Sequence, residues 1–150
     1  AREVPMFLDS SALVALLAKQ PDHRRIAAAI EQAEIRQTSP LVRLEASIVL
    51  STLLNVEPGV ADAAVTRLFD EAAIEVVPIT DETAQKAVAA FARYGKGRGH
   101  RARLNLADCV IYASAKLANT PLLFLGDDFS QTDIASALAD PRPTAAKDRD

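Results

Sequence analysis

An α/β fold with a mostly parallel sheet is what this chain predicts. Three observations carry that expectation. Short apolar runs of strand character alternate with longer segments of helical spacing, the pattern of successive βαβ units. Two of the strand runs end in acids: Asp9 follows Met6-Phe7-Leu8, and Asp127 with Asp128 follows Leu122-Leu123-Phe124-Leu125-Gly126. Ligands of open α/β sheets bind beyond the carboxyl ends of the strands. Finally, 150 residues of which 49% are apolar suit one domain with a substantial core. Residues 1–150 are therefore read as a single domain.

The elements follow in order. Met6 to Leu8 is a buried strand, and Ser10 to Leu17 enters a helix. Pro21-Asp22 is a stop followed by an N-cap, after which Ile26, Ala29, Ile30 and Ala33 keep helical spacing. Ile35 to Thr38 is a short strand. Ser39-Pro40 starts a helix, since the hydroxyl caps and proline fits the first helical position. Leu41, Leu44 and Ile48 begin its apolar stripe, weakly continued by Thr52. Pro58-Gly59 breaks that helix, and another runs from about Val60 to Ala72. Ile74 to Ile79 is a strand. Thr80-Asp81 opens a helix through Ala84, Ala87, Val88 and Phe91, and Gly95, Gly97 and Gly99 mark a flexible loop. A long apolar helix follows Asn105, and Pro121 to Leu125 is the last strand. Residues 1–5 read as a flexible or non-native leader before Met6. Residues 140–150, charged and with two prolines, read as a flexible tail.

Composition narrows the function. A net charge of -3 does not mark a generic nucleic-acid binder, although local charge can depart from the sum. Cys109 is the only cysteine, so no intramolecular disulfide forms. That fits a reducing compartment, and a cytoplasmic location is expected. No apolar run approaches a membrane span, since Asp9, Arg43 and Glu45 interrupt the candidates, and the start lacks a signal-peptide pattern. No membrane association is expected.

The carboxylates carry the chemistry. Glu45 lies four residues after Leu41 and three before Ile48, on or beside the stripe of its helix. Asp108 falls in the first turn after Asn105, where an acid three residues beyond an N-cap resembles a capping box. In a parallel sheet, strand C-termini and the following helix N-termini share one edge, so Asp9, Asp108 and Asp127 gather there with Glu45 beside them. Two carboxylates about 4 Å apart repel by roughly 4 kcal/mol at an effective dielectric near 20. Such a cluster needs shared protons or a divalent cation. Oxygen-only ligands favour Mg²⁺ or Mn²⁺ over Zn²⁺, and the two histidines, His23 and His100, offer no zinc motif. A cation so held activates water and neutralises a phosphodiester. Shortly before Asp108, the acid-free stretch containing Lys96, Arg98, Arg101 and Arg103 suggests an arm that contacts phosphates. Little aromatic interleaving accompanies it, so base stacking is not indicated. His23, His100 and Lys116 are expected at the surface, and Cys109 as a buried structural thiol.

Four segments, Phe7-Leu8-Asp9-Ser10-Ser11-Ala12-Leu13, Arg43-Leu44-Glu45-Ala46, Leu104-Asn105-Leu106-Ala107-Asp108-Cys109 and Leu123-Phe124-Leu125-Gly126-Asp127-Asp128-Phe129, resemble the PIN-domain ribonucleases. The similarity is to the VapC toxins of bacterial toxin–antitoxin pairs and spans Met6 to about Leu138. It implies a three-layer α/β/α sandwich with a central, mostly parallel sheet of four to five strands. It also implies Mg²⁺- or Mn²⁺-dependent RNA cleavage, a homodimer, and a cognate antitoxin that blocks the site. Under it Asp9, Glu45, Asp108 and Asp127 hold the metal, with Asp128 as rival for the fourth place and Ser10 as a hydroxyl that orders the site. The chain departs from the pattern in a slightly longer loop at Gly95 to Arg101, and in Leu106-Ala107 where many relatives have an aromatic and glycine.

Two other readings compete. A silent module would keep the fold only to bind RNA or antitoxin. An aspartate phosphotransfer domain would also place Asp9 beyond a strand. A phosphatase of that kind wants a second Asp two residues later, where Ser11 stands, and a receiver wants an acid pair and a late lysine that are not apparent.

Overall fold

The computed structural model describes residues 4–138. Its elements are β1 (Pro5–Leu8), α1 (Ser10–Leu17), α2 (His23–Gln32), β2 (Ile35–Thr38), α3 (Pro40–Leu54), α4 (Pro58–Glu71), β3 (Ile74–Val76), α5 (Asp81–Tyr94), α6 (Leu106–Leu117) and β4 (Leu122–Leu123). The four strands form one sheet in the order β3-β2-β1-β4. Every pairing is parallel, with Phe7 beside Gln37 on one side and Leu122 on the other.

The connections explain the layers. From β1 through β2 to β3 the chain moves one way across the sheet, and it then crosses back to place β4 on the far side of β1. Right-handed crossovers put α1 to α4 on one face and α5 with α6 on the other. The packing agrees: α1 meets α2 and α3, α3 meets α4, and α5 meets α6. The result is the expected α/β/α sandwich, with four strands among the described residues. Phe7, Leu8, Leu13, Ile26, Leu50, Ile111, Leu122 and Leu123 fill its core. Because the crossover reverses between β1 and β4, a crevice opens beyond their carboxyl ends, the topological switch point where ligands of such sheets bind.

Several expectations need correction. The apolar stripe of α3 is not Leu41, Leu44 and Ile48. Leu44 and Ile48 are 55% and 54% exposed, whereas Val42, Ala46, Ser47 and Leu50 are buried. Both faces of this helix carry apolar residues, so spacing alone did not separate them. The small Ala46 and Ser47 on the buried face allow close approach to neighbouring helices, while Leu44 and Ile48 face out. Likewise α5 buries Thr83, Ala87, Ala90 and Tyr94, while Val88 and Phe91 are exposed.

Boundaries moved for local reasons. Helix α3 ends before Pro58, because Asn55 turns left-handed (φ 51). Pro58 instead opens α4 in the position that suits it. Strand β3 stops at Val76 ahead of Pro78, which has no N–H for the ladder. Strand β4 stops at Leu123, and the N–H of Leu125 goes to a side chain, Ser11 Oγ, at 3.0 Å. Asp22 precedes α2 but makes no side-chain cap bond; it pairs with Arg25 at 2.7 Å. Pro5, assigned to the leader from sequence, begins β1 opposite Ile35. The rest of that leader up to residue 3, and the tail from 140, lie outside the described residues. Among the described residues no helix is long and apolar enough to cross a membrane.

Candidate active site

Each acid is delivered to the crevice by a different device. The backbone N–H of Asp9 donates to Leu123 O at 3.0 Å, which docks the end of β1 against β4. Asp9 is also the N-cap of α1. Its Oδ2 accepts the Ser11 N–H at 3.2 Å and the Ser11 hydroxyl at 2.6 Å. The same Ser11 Oγ accepts the Leu125 N–H, so one hydroxyl ties the first strand end to the last. Glu45 projects from the second turn of α3, and its Oε1 is buried without a hydrogen-bond partner. Asp108 closes the expected capping box. Its N–H donates to Asn105 Oδ1 at 2.8 Å, and its Oδ2 accepts the Asn105 N–H at 3.2 Å. Asp128 follows Gly126, whose φ of +89° suits glycine and turns the chain back after β4.

A cleft of about 430 Å³ is lined by Asp9, Glu45, Asp108 and Asp128, with Ser10, Ser11, Gln20 and Asn105 among its walls. The acids are mutually coupled. Burial holds the Asp9 carboxyl above the usual carboxylate range, against the bonds from Ser11, and Asp128 pushes it further. Glu45 is pushed up to about 7, first by burial and then by Asp9 and Asp108, with a Ser10 hydrogen bond opposing. Asp108 is raised to about 6, chiefly by burial, with Asp128 and Asp9 adding to it against the Asn105 N–H. Carboxylates pushed toward neutrality by burial and by one another are a recognised mark of functional sites.

The fourth acid of this cleft is Asp128. Asp127, preferred from sequence because it comes first after the strand, lines a neighbouring cleft of about 510 Å³ with Arg101, Ala102, Arg103, Asp128 and Gln131. The left-handed Gly126 sets the chain direction at this point, so order along the sequence did not indicate which acid faces inward. Asp128 borders both clefts and joins them. Lys96 and Arg98 line neither of the two.

The loop bearing the arginines is tied down rather than loose. Lys96 N–H donates to Leu104 O and Leu104 N–H to Tyr94 O, both at 2.8 Å, and Arg98 N–H reaches Gly95 O at 3.1 Å. Gly97 and Gly99 take positive φ within it. Arg103 also sits at φ +54°, a conformation that costs a non-glycine residue about 1–2 kcal/mol and is often held at functional sites. His100, expected at the surface, is partly buried against Tyr94. Lys116, also expected there, pairs with Asp133 at 3.3 Å. Cys109 is buried as expected.

Sequence reasoning named Ser10, which bonds Glu45, as the ordering hydroxyl and passed over Ser11, which bonds Asp9 and Leu125. A usable signal existed, since a hydroxyl two residues after an N-cap Asp lies within its reach. The bond to Leu125 carried none, because it joins residues far apart in sequence.

The fold and site together define a class. A family model described as PIN domain matches residues 6–135. The chain is 43% identical over 131 residues to Ribonuclease VapC30 of Mycobacterium tuberculosis, covering 87% of this chain and 97% of that protein. The structure is similar to that of VapC20 of M. tuberculosis, described as a sarcin-ricin loop cleaving toxin (TM-score 0.71, 18% identity, 89% of this chain and 99% of that one). It is also similar to a toxin–antitoxin complex from Klebsiella pneumoniae (TM-score 0.64, 19% identity, 91% and 98%). The chain belongs to the PIN-domain family, among the VapC ribonucleases.

Proposed function

We propose that this protein is the toxin of a toxin–antitoxin pair and an endoribonuclease that cleaves RNA phosphodiester bonds with Mg²⁺, or Mn²⁺ in its place. The observation that carries the reading is the cleft of coupled carboxylates, Asp9, Glu45, Asp108 and Asp128, joined to a cleft holding Arg101 and Arg103. VapC30, named a ribonuclease, supports it at 43% identity.

The donor set fits a hard divalent cation. Its groups are oxygens, their charges repel, and Glu45 Oε1 is buried with no partner to satisfy it. Among the described residues no three His, Cys, Asp or Glu side chains are already set as a metal cage. Oδ2 of Asp9 and Oδ2 of Asp108 already accept hydrogen bonds from Ser11 and Asn105, which orient the two carboxyl groups. The residues that would hold the ion are Asp9, Glu45, Asp108 and Asp128. When bound, a divalent cation supplies Lewis-acid polarisation of the phosphate and lowers the pKa of water beside it.

The protein's own groups supply the rest. Ser11 keeps Asp9 aimed by bonding one of its oxygens. Glu45, raised to about 7 by burial and by Asp9 and Asp108, would be favoured as a carboxylate by a bound cation. Arg101 and Arg103 hold the backbone of the RNA beside the acids, where bidentate guanidinium–phosphate contact gives orientation.

Partners follow from what is left uncovered. Leu44 and Ile48, one turn apart on α3, are exposed together; Val88 and Phe91 of α5 with Leu106 of α6 line one apolar groove. Faces of this kind suit protein contacts. A second copy of the chain and a cognate antitoxin are the proposed occupants, which light scattering of the protein with and without its antitoxin would test.

The deciding experiment incubates purified, antitoxin-free protein with total cellular RNA in Mg²⁺, Mn²⁺ or EDTA, beside Asp108→Asn. Asparagine keeps the size and one oxygen of the cap. Discrete fragments that need metal and vanish in the variant are expected. Fragments that persist in EDTA and in the variant would overturn the reading. A silent binding module is the second reading; RNA binding with no cleavage in any lane would favour it.

A further inference from the structure

One side chain outside the acidic cleft closes the loop that carries the arginines. His100 Nδ1 accepts the N–H of Ala102 at 3.0 Å. Its ring meets Tyr94 edge to face, with centroids 4.8 Å apart. Tyr94 is only 2% exposed and in turn meets Tyr112 of α6 at 5.6 Å. The imidazole thus packs on a tyrosine of α5 that itself packs on α6. Among the described residues, its bond to Ala102 is the one hydrogen bond made within residues 99–103.

The consequence falls on the arginines. Ala102 and Leu104 are buried, at 4% and 0% exposure, while Arg101 and Arg103 between and before them are exposed and line the cleft shared with Asp128. Fixing the Ala102 amide therefore fixes the stretch of chain on which both guanidinium groups hang. Arg103 sits in a left-handed conformation, which persists only where its surroundings over-determine it. As acceptor, Nδ1 must carry no proton, which puts the ring N–H of the neutral imidazole on Nε2. An asparagine can make the same bond, because its Oδ1 reaches the N–H two residues on in an Asx-turn. A leucine can fill the space but accepts nothing.

We propose that His100 is a positioning residue for RNA capture, its Nδ1 holding the loop so that Arg101 and Arg103 face the acidic cleft across Asp128. The inference rests on the ribonuclease reading above, through the assignment of the arginines to the RNA backbone.

The test compares His100→Leu, His100→Asn and Arg101→Ala/Arg103→Ala with the native protein. The probe is a fluorescein-labelled pool of random single-stranded RNA, with EDTA present to prevent cleavage, read by anisotropy. Amide NMR reports Ala102 in each protein. The leucine variant is expected to bind about fivefold more weakly, the effect of one lost hydrogen bond, and to shift the Ala102 amide. The asparagine variant is expected within about twofold of native. Native affinity in the leucine variant, or equal losses in both His100 variants, overturns the proposal while the arginine variant still binds weakly. If the arginine variant binds as the native protein does, or if the native protein does not bind, the reading of the loop fails and takes the proposal with it.

Discussion

The acidic cleft and the basic loop share Asp128 and little else. The acids hang from elements distant in sequence, two beyond strand ends, one in the first turn of α6 and one on α3. Topology brings them together, and they repel once there. The arginines hang from a single loop closed by short-range bonds between residues 94 and 104. The first arrangement is held by the whole fold against its own electrostatics; the second is held by neighbours. Damage to an acid should therefore remove function with little loss of fold, whereas damage to the loop should weaken capture by degrees.

The largest effect should come from Asp108→Asn or Asp9→Asn. Either is expected to lower RNA cleavage by roughly a hundredfold or more, the upper range for disturbing a metal's surroundings. Initial rates on a fixed RNA in Mg²⁺ check it, and circular dichroism should report an unchanged fold. Next comes Arg101→Ala/Arg103→Ala, expected to weaken RNA binding about tenfold or more in low salt. Its salt dependence sharpens the comparison, because each lost phosphate contact should reduce the slope of log affinity against log salt by about 0.7 for a single strand. An unchanged slope would mean the arginines do not touch phosphate.

Ser11→Ala is expected to be smaller in activity and visible in stability. It removes the 2.6 Å bond to Asp9 and orphans the Leu125 N–H. Denaturant unfolding should show a loss of about 1–3 kcal/mol. With a lowering influence gone, the Asp9 carboxyl should rise further, moving the acid limb of the activity profile to higher pH.

The smallest effect concerns pH. In the metal-free protein Glu45 is raised to about 7 and Asp108 to about 6. Between their ordinary values and these, the folded state binds more protons than the unfolded one. Stability is thus fully present in acid and lost as pH rises through the folded values. Thermal midpoints of metal-free protein should fall modestly from pH 5 to pH 8. Glu45→Gln should flatten that fall, and Mg²⁺ should recover stability at pH 8. A midpoint that climbs across the range would contradict the coupling of these acids.

What was legible in the sequence divides along the same line. The parallel α/β order, the acids after strand ends and the Asn105–Asp108 capping box are local patterns, and each stands in the structure. The buried face of α3 was not legible, since Leu44 and Val42 are both apolar and only packing against α1 and α4 chose between them. Nor was the choice of Asp128 over Asp127, which depends on the chain direction after Gly126. His100 has a short-range partner in Ala102, but the ring contact with Tyr94 that seats it comes from the folded loop.

The bond from Leu125 N–H to Ser11 Oγ, across 114 residues, has a consequence in time. A chain synthesised only as far as Asn119 already contains Asp9, Glu45 and Asp108. It has neither Leu123 to receive the N–H of Asp9 nor Leu125 to engage Ser11, and it has no Asp128. On the ribonuclease reading, a nascent polypeptide lacks its fourth acid and the docked end of β1 until β4 and the residues after it have been made. For a protein proposed to cut RNA, birth itself supplies a safeguard.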